Sequence, residues 1–119
     1  MDKPIAFIIE DDEKLTEIFS QALKMAGFDT EFAHDGAVAL DRLAELIPDL
    51  ILLDLHLPSV PGDDILRYIR ADARLKNIHV FLATADQLRA EMLRDHVTLV
   101  LLKPISVMQL QKLASRIIS

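Results

Sequence analysis

The 119-residue chain is expected to fold as an α/β domain, a doubly wound five-stranded parallel sheet with helices on both faces. Two periodicities predict this. Short apolar runs at Ile5–Ile9, Leu50–Leu53, Ile78–Ala83 and Val97–Leu102 read as strands buried on both sides. Between them apolar residues recur at helical spacing, so strand and helix alternate along the chain. Composition agrees, since 51% hydrophobic and 27% charged residues are ordinary for a globular chain rather than a disordered one. The length suits one core, so residues 1–119 are expected to form a single domain.

Each element has its own justification. Ile5–Ile9 is a strand that stops at the acidic run Glu10-Asp11-Asp12-Glu13. Leu15, Ile18, Phe19, Ala22 and Ala26 then keep i, i+3, i+4 spacing, and Gly27 supplies a left-handed stop. Phe28–Ala33 is a weaker strand, because Phe28, Thr30 and Phe32 alternate with Asp29 and Glu31; one wetter face places it at a sheet edge. Leu40, Leu43, Ala44 and Ile47 form a second helix, opened by Asp35 and closed by Pro48. After the strand Leu50–Leu53, a third helix is marked by Ile65, Leu66 and Ile69. Leu88, Met92 and Leu93 mark a weaker fourth between the last two strands. Ser106, with Gln109 three residues on, is a capping-box start for the last helix, whose stripe is Val107, Leu110, Leu113, Ala114 and Ile117.

Several function classes fall away at once. No apolar stretch approaches the roughly 20 residues that span a bilayer, and the N-terminal run turns acidic too soon for a signal peptide. Cytoplasmic location and no membrane contact are therefore expected. The absence of cysteine removes disulfides and thiolate metal sites. Thirteen basic residues against nineteen acidic give a net charge of −6, with no basic stripe, so direct nucleic-acid binding is not expected. Nucleotide binding is disfavoured too, because the chain has no Gly-rich phosphate loop.

In an open parallel sheet, ligands bind beyond the carboxyl ends of the strands. Those ends carry Glu10 and Asp11, Asp54, Thr84 and Lys103. Taken singly, most have bland readings: acids suit a helix start, Thr84 suits a strand end, and a lysine before Pro104 suits a surface loop. Asp54 resists. It closes an apolar run, where an unpaired charge is expensive, and Pro58 and Gly62 follow it in a loop rather than a helix start. Carboxylates crowded at one sheet edge repel unless a cation sits among them. Hard oxygen ligands without cysteine or clustered histidine suit Mg²⁺. A lysine and a threonine at the same rim can neutralise and hydrogen-bond a phosphoryl group, so the set points to aspartyl-phosphate chemistry. His34, His79 and His96 are scattered and read as surface or strand-edge residues.

Four segments in order, "IIEDD", "LILLDLHLPSVPG" with its Asp-x-x-x-Pro-x-x-x-Gly spacing, "FLATA" and "LLKP", each close a predicted strand. Together they resemble the receiver domain of two-component response regulators, over essentially the whole chain. The resemblance implies a flavodoxin-like sheet of strand order 2-1-3-4-5. It implies Asp54 as phospho-acceptor, Thr84 as switch hydroxyl and Lys103 as rim lysine. It further implies a Mg²⁺ site in which Asp11 ligates directly, Glu10 acts through water and the backbone carbonyl of His56 adds an oxygen. The alternative register is Asp11-Asp12; Glu10-Asp11 is preferred because the pair should directly follow the strand. His56 and Asp86 stand two residues beyond Asp54 and Thr84 and would flank the mouth, as an interacting pair or merely solvated.

The implied function is a signalling switch phosphorylated by a histidine kinase or phosphotransfer protein and read by a downstream protein or effector domain. The competing readings are a small Mg²⁺-dependent phosphohydrolase with Asp54 as nucleophile, and an interaction module independent of phosphorylation. The first would want an acid near position 56, where the chain has His56; the second would usually lack the acceptor or the lysine. One departure concerns output. Three residues before the lysine the family often has an aromatic ring that swings with the threonine; here Val100, stiff at χ1, follows Leu99, where a small residue is usual. The face built from Met92, Leu99, Val100 and the last helix is therefore expected to be a contact surface for self-association or a partner.

Overall fold

The computed structural model describes residues 2–118. In chain order the elements are β1 (Ile5–Ile9), α1 (Glu13–Met25), β2 (Asp29–Ala33), α2 (Gly36–Leu43), β3 (Leu50–Asp54), α3 (Gly62–Ala71), β4 (His79–Thr84), α4 (Gln87–Leu93), β5 (Leu99–Leu102) and α5 (Val107–Ile118). A 3-10 turn, Arg94–His96, links α4 to β5. All strand pairs are parallel and the order is β2-β1-β3-β4-β5, as expected. The winding direction reverses between β1 and β3, which opens a crevice at their carboxyl ends.

The period of two along each inner strand separates two apolar layers. Phe7, Ile9, Ile51, Leu53, Val80 and Leu82 pack with Ala39 and Leu43 of α2 and Ile65 and Ile69 of α3. Ala6, Ile8, Leu50, Leu52 and Phe81 pack on the other side with Phe19, Ala22 and Leu23 of α1 and Leu110 and Ala114 of α5. Side-chain oxygens cap every helix but α3: Leu15 N–H donates to Asp12 Oδ1 (3.0 Å), Val38 N–H to Asp35 Oδ1 (2.8 Å), Arg89 N–H to Asp86 Oδ1 (3.0 Å) and Gln109 N–H to Ser106 Oγ (3.2 Å). Gly27 takes φ 110°, ending α1 as expected.

Several stripes differ from expectation, and each difference has a cause. Phe28 is buried, but Phe32 on the same parity is 56% exposed, because it lies at the far end of the edge strand, tilted against the His34 ring. Ile18 is exposed while Thr16 turns inward, its hydroxyl bonded to backbone carbonyls of Glu10 and Asp12. α2 stops at Leu43, and Leu46 rather than Ile47 fills the core. The short α4 buries Ala90 and leaves Leu88 and Met92 in solvent. Leu99 and Val100 are half-buried, Leu99 against the α1/α5 layer and Val100 against the other. They are therefore mainly packing residues; of the expected contact face Met92 is exposed, as are Val107 and Met108 of α5, and Leu88 and Leu102 are exposed besides.

Candidate functional site

Register brings the expected residues to one edge. Ile9 pairs with Leu53, so the next residues, Glu10 and Asp54, emerge side by side. Asp54 pairs with Ala83, which puts Thr84 one step beyond. Lys103 N–H donates to the Thr84 carbonyl at 2.9 Å, which fixes where the lysine leaves β5. Glu10, Asp54 and Thr84 are buried and Asp11 is exposed.

Carboxylate oxygens of Glu10, Asp11 and Asp54 all lie within 4.8 Å of one another. Lys103 Nζ donates to Glu10 Oε1 at 2.7 Å and stands 3.6 Å from Asp54 Oδ2. Asp12, the alternative member of the acidic pair, has its carboxylate turned to the cap of α1, and its N–H donates to Glu10 Oε2 at 3.2 Å. His56 N–H donates to Asp54 Oδ1 at 3.3 Å, so the loop after β3 begins by bonding the Asp54 carboxylate. At the mouth His56 Nε2 is 3.8 Å from Asp86 Oδ2, ion-pair range for a protonated ring but too long for a hydrogen bond. Asp86 N–H donates to Thr84 Oγ1 at 3.0 Å, joining the threonine to the cap of α4.

Electrostatics follow from the burial. Burial pushes the Glu10 carboxyl above its ordinary range, against the opposing hydrogen bonds from Lys103 and Asp12. It pushes Asp54 up as well, against the Lys103 charge and the His56 N–H. For Lys103, burial would lower the pKa, but the bond to Glu10 and the charges of Asp54 and Glu10 outweigh it and hold the ammonium protonated. One cation thus serves two buried acids, with a third acid close by. A donor set of three carboxylates with no sulfur fits a hard divalent cation such as Mg²⁺. Its charge would relieve the acids that Lys103 alone only partly balances.

Two supports escaped the sequence reading. His34, expected at the surface or a strand edge, follows the edge strand and bonds the Glu10 carbonyl through Nδ1 at 2.9 Å. Only the 2-1 strand order, which sets the end of β2 beside that of β1, could have signalled this. The loop after Asp54 is also tied to α2: Gly36 N–H donates to the Pro58 carbonyl at 3.0 Å, and Ala37 N–H to Ser59 Oγ at 3.1 Å. A Cβ at Gly62 would sit 2.4 Å from the Asp54 carbonyl, so the glycine of the Asp-x-x-x-Pro-x-x-x-Gly spacing is there for close backbone approach.

With this geometry in place, comparison with known proteins is informative. The family description "response regulator receiver domain" matches residues 6–115. The DNA-binding response regulator MtrA of Mycolicibacterium smegmatis is 46% identical over 66 residues, covering 56% of this chain and 29% of MtrA. The DNA-binding dual master transcriptional regulator RpaA of Synechocystis is 40% identical over 82 residues, covering 69% of this chain and 34% of RpaA. The chain thus spans about a third or less of these relatives. The chemotaxis response regulator CheY4 of Vibrio cholerae superposes with a TM-score of 0.88 at 22% identity, over 98% of this chain and 99% of its own, a likeness of fold. Among the described residues no helix is long and apolar enough to cross a membrane.

Proposed function

The chain belongs to the response regulator receiver domain family, and on that premise we propose that it is a phospho-accepting switch, taking a phosphoryl group from a histidine kinase or phosphotransfer protein onto Asp54. The observation that carries this reading is the convergence of Glu10, Asp11 and Asp54 with Lys103 bridging two of them at the carboxyl edge of the sheet. Glu10, Asp11, Asp54 and the His56 carbonyl are the groups that would hold Mg²⁺, which supplies charge neutralisation for the incoming phosphoryl oxygens. The Asp54 carboxylate forms the new P–O bond as the P–N bond to the donor histidine breaks. Lys103 stabilises the charge on the transferred group. The Thr84 hydroxyl hydrogen-bonds a phosphoryl oxygen in this reading, and its link to Asp86 carries the change to α4. Incubation with Mg²⁺ and a small phosphodonor should add one acid- and base-labile phosphoryl group. No labelling with any donor would remove the proposal.

The mouth pair governs lifetime in this reading. His56 is largely exposed and lies beside Asp86, the cap of α4, so neither is needed for acceptance. His56→Asn and Asp86→Ala should each alter the phosphoryl half-life several-fold while leaving labelling possible, as read by loss of label over time. Unchanged decay in both would make the pair merely solvated.

Output runs through the exposed apolar residues Leu88 and Met92 of α4 and Leu102 of β5, a downstream partner or a second copy covering them. Leu99→Glu, aimed at a half-buried packing residue, would threaten the fold. Leu88→Glu probes the same face from solvent. It should weaken phosphorylation-dependent association in sedimentation without changing Asp54 labelling, and unchanged association would exclude this face.

A further inference from the structure

We propose that the groove between α3 and α4 is a docking site for an acidic, amphipathic segment of a partner protein. The groove holds about 530 Å³. Its floor is apolar, with Leu66 buried and Leu93 half-buried, and Met92 stands at the rim 63% exposed. Three guanidiniums, Arg67, Arg70 and Arg89, line it against one carboxylate, Asp63. In a chain with nineteen acids and thirteen bases this is a local reversal of sign.

The walls are held at both ends. Arg89 pairs with Asp63 across the two helices. At the other end Arg70 donates from Nε to the His96 carbonyl at 2.8 Å, and from Nη1 to the carbonyls of Lys76 and Ile78. Among the described residues no carboxylate is in ion-pair range of Arg70. Among the described residues Arg67 pairs only with its neighbour Asp64 at 3.0 Å, a solvent-exposed contact that an incoming carboxylate can displace at little cost. An apolar floor between guanidiniums calls for apolar side chains flanked by carboxylates, laid in as a helix in a groove. Three arginines without a longer basic stripe do not suit a nucleic-acid backbone.

The α4 wall is wired to the site edge. Asp86 donates its N–H to Thr84 Oγ1 and accepts the N–H of Arg89, whose side chain holds Asp63. Resting on the proposed function, a phosphoryl group that engages Thr84 pulls this chain and loosens Arg89 from Asp63. Arg89 already lines the groove, so what it gains is freedom to pair with an incoming carboxylate, and phosphorylation strengthens docking in that way.

The test is chemical-shift mapping on the isotope-labelled full chain. The probe is a synthetic helical peptide with Leu on one face flanked by Glu, and the control carries Lys in place of Glu. The Glu peptide should shift α3 and α4 resonances, and Arg67→Glu, at an exposed position, should weaken binding about tenfold. Equal binding of the Lys peptide, shifts centred elsewhere, or unchanged affinity in Arg67→Glu overturns the docking site. Displacement of the peptide by an equal concentration of glutarate also overturns it, since the groove would then take a free anion. With Asp54 labelled, affinity should rise several-fold, and no rise overturns the coupling alone. If Asp54 accepts no label the proposed function fails, while the unphosphorylated titration still decides the groove.

Discussion

Asp54→Asn is expected to lose all phosphoryl labelling and, without metal, to melt several degrees above the wild type. The first effect follows from removing the only carboxylate that ends β3 inside the acidic cluster. The second follows from its burial among other acids. Asn keeps the shape and keeps an oxygen for the His56 N–H, yet removes a charge that Lys103 has to share with Glu10. The gain should be on the order of 1–2 kcal/mol, the scale on which neutral groups replace poorly compensated buried charges. Saturating Mg²⁺ should narrow the difference, because a ligand that binds only the folded state adds stability to the chain that holds it better. Retained labelling would reassign the acceptor. A lower melting temperature would mean that the charge is better compensated than the geometry shows.

The same groups set a pH dependence with a definite sign. Glu10 and Asp54 both bind protons more tightly folded than unfolded, since burial raises each. The native state therefore holds more protons across the window between the ordinary carboxylate range and the raised values, and stability falls as pH rises through it. Below that window the contribution is fully present. Denaturant melts at a series of pH values should show this decline in metal-free wild type and a shallower one in Asp54→Asn.

The legible part of the molecule is the part set by unbroken local patterns. Inner strands such as Leu50–Asp54 are apolar on both faces, so their burial needed no tertiary knowledge. Asp35 and Ser106 cap where a short polar residue precedes helical periodicity. That the candidate residues would meet was legible because a parallel sheet sends the carboxyl ends of its strands to one edge, which the one-dimensional order already encodes. Misreadings arose where burial depends on what lies opposite. Ile18 and Thr16 exchange roles because the Thr16 hydroxyl finds carbonyls at the end of β1, a partner invisible to a hydropathy pattern. Leu88 continues the apolar spacing of the fourth helix, but α4 has seven residues and is anchored by Ala90 and its Asp86 cap, so Leu88 faces water beside Met92, which was already expected on a contact face. His34 and Ser59 act through backbone contacts across separate elements, and no spacing in the chain announces them.

Lys103→Ala should separate acceptance of a phosphoryl group from the response to it. The ammonium bonds Glu10 and neighbours Asp54, both almost wholly buried, so its loss leaves two buried acids without their cation. Breaking a buried pair from one side costs about 3–5 kcal/mol; the low end applies here, since either carboxylate can take up a proton. The penalty should be largest at neutral pH without metal and should shrink on acidification or with Mg²⁺. In the variant, Mg²⁺ should bind more tightly than in wild type, because a competing positive charge has gone from the same three acids. Asp54 remains in place and should still accept label. What disappears is the tether between the phosphoryl oxygens and the segment that leaves β5, whose Lys103 N–H holds the Thr84 carbonyl at 2.9 Å. Phosphorylated Lys103→Ala should accordingly lose the shift of β5 resonances relative to its unphosphorylated form, while α4, reached through Thr84 and Asp86, still shifts. A full wild-type pattern of shifts would place the coupling entirely in Thr84 and its bond to Asp86. Weaker Mg²⁺ binding would mean that Lys103 organises the acids rather than competing for them.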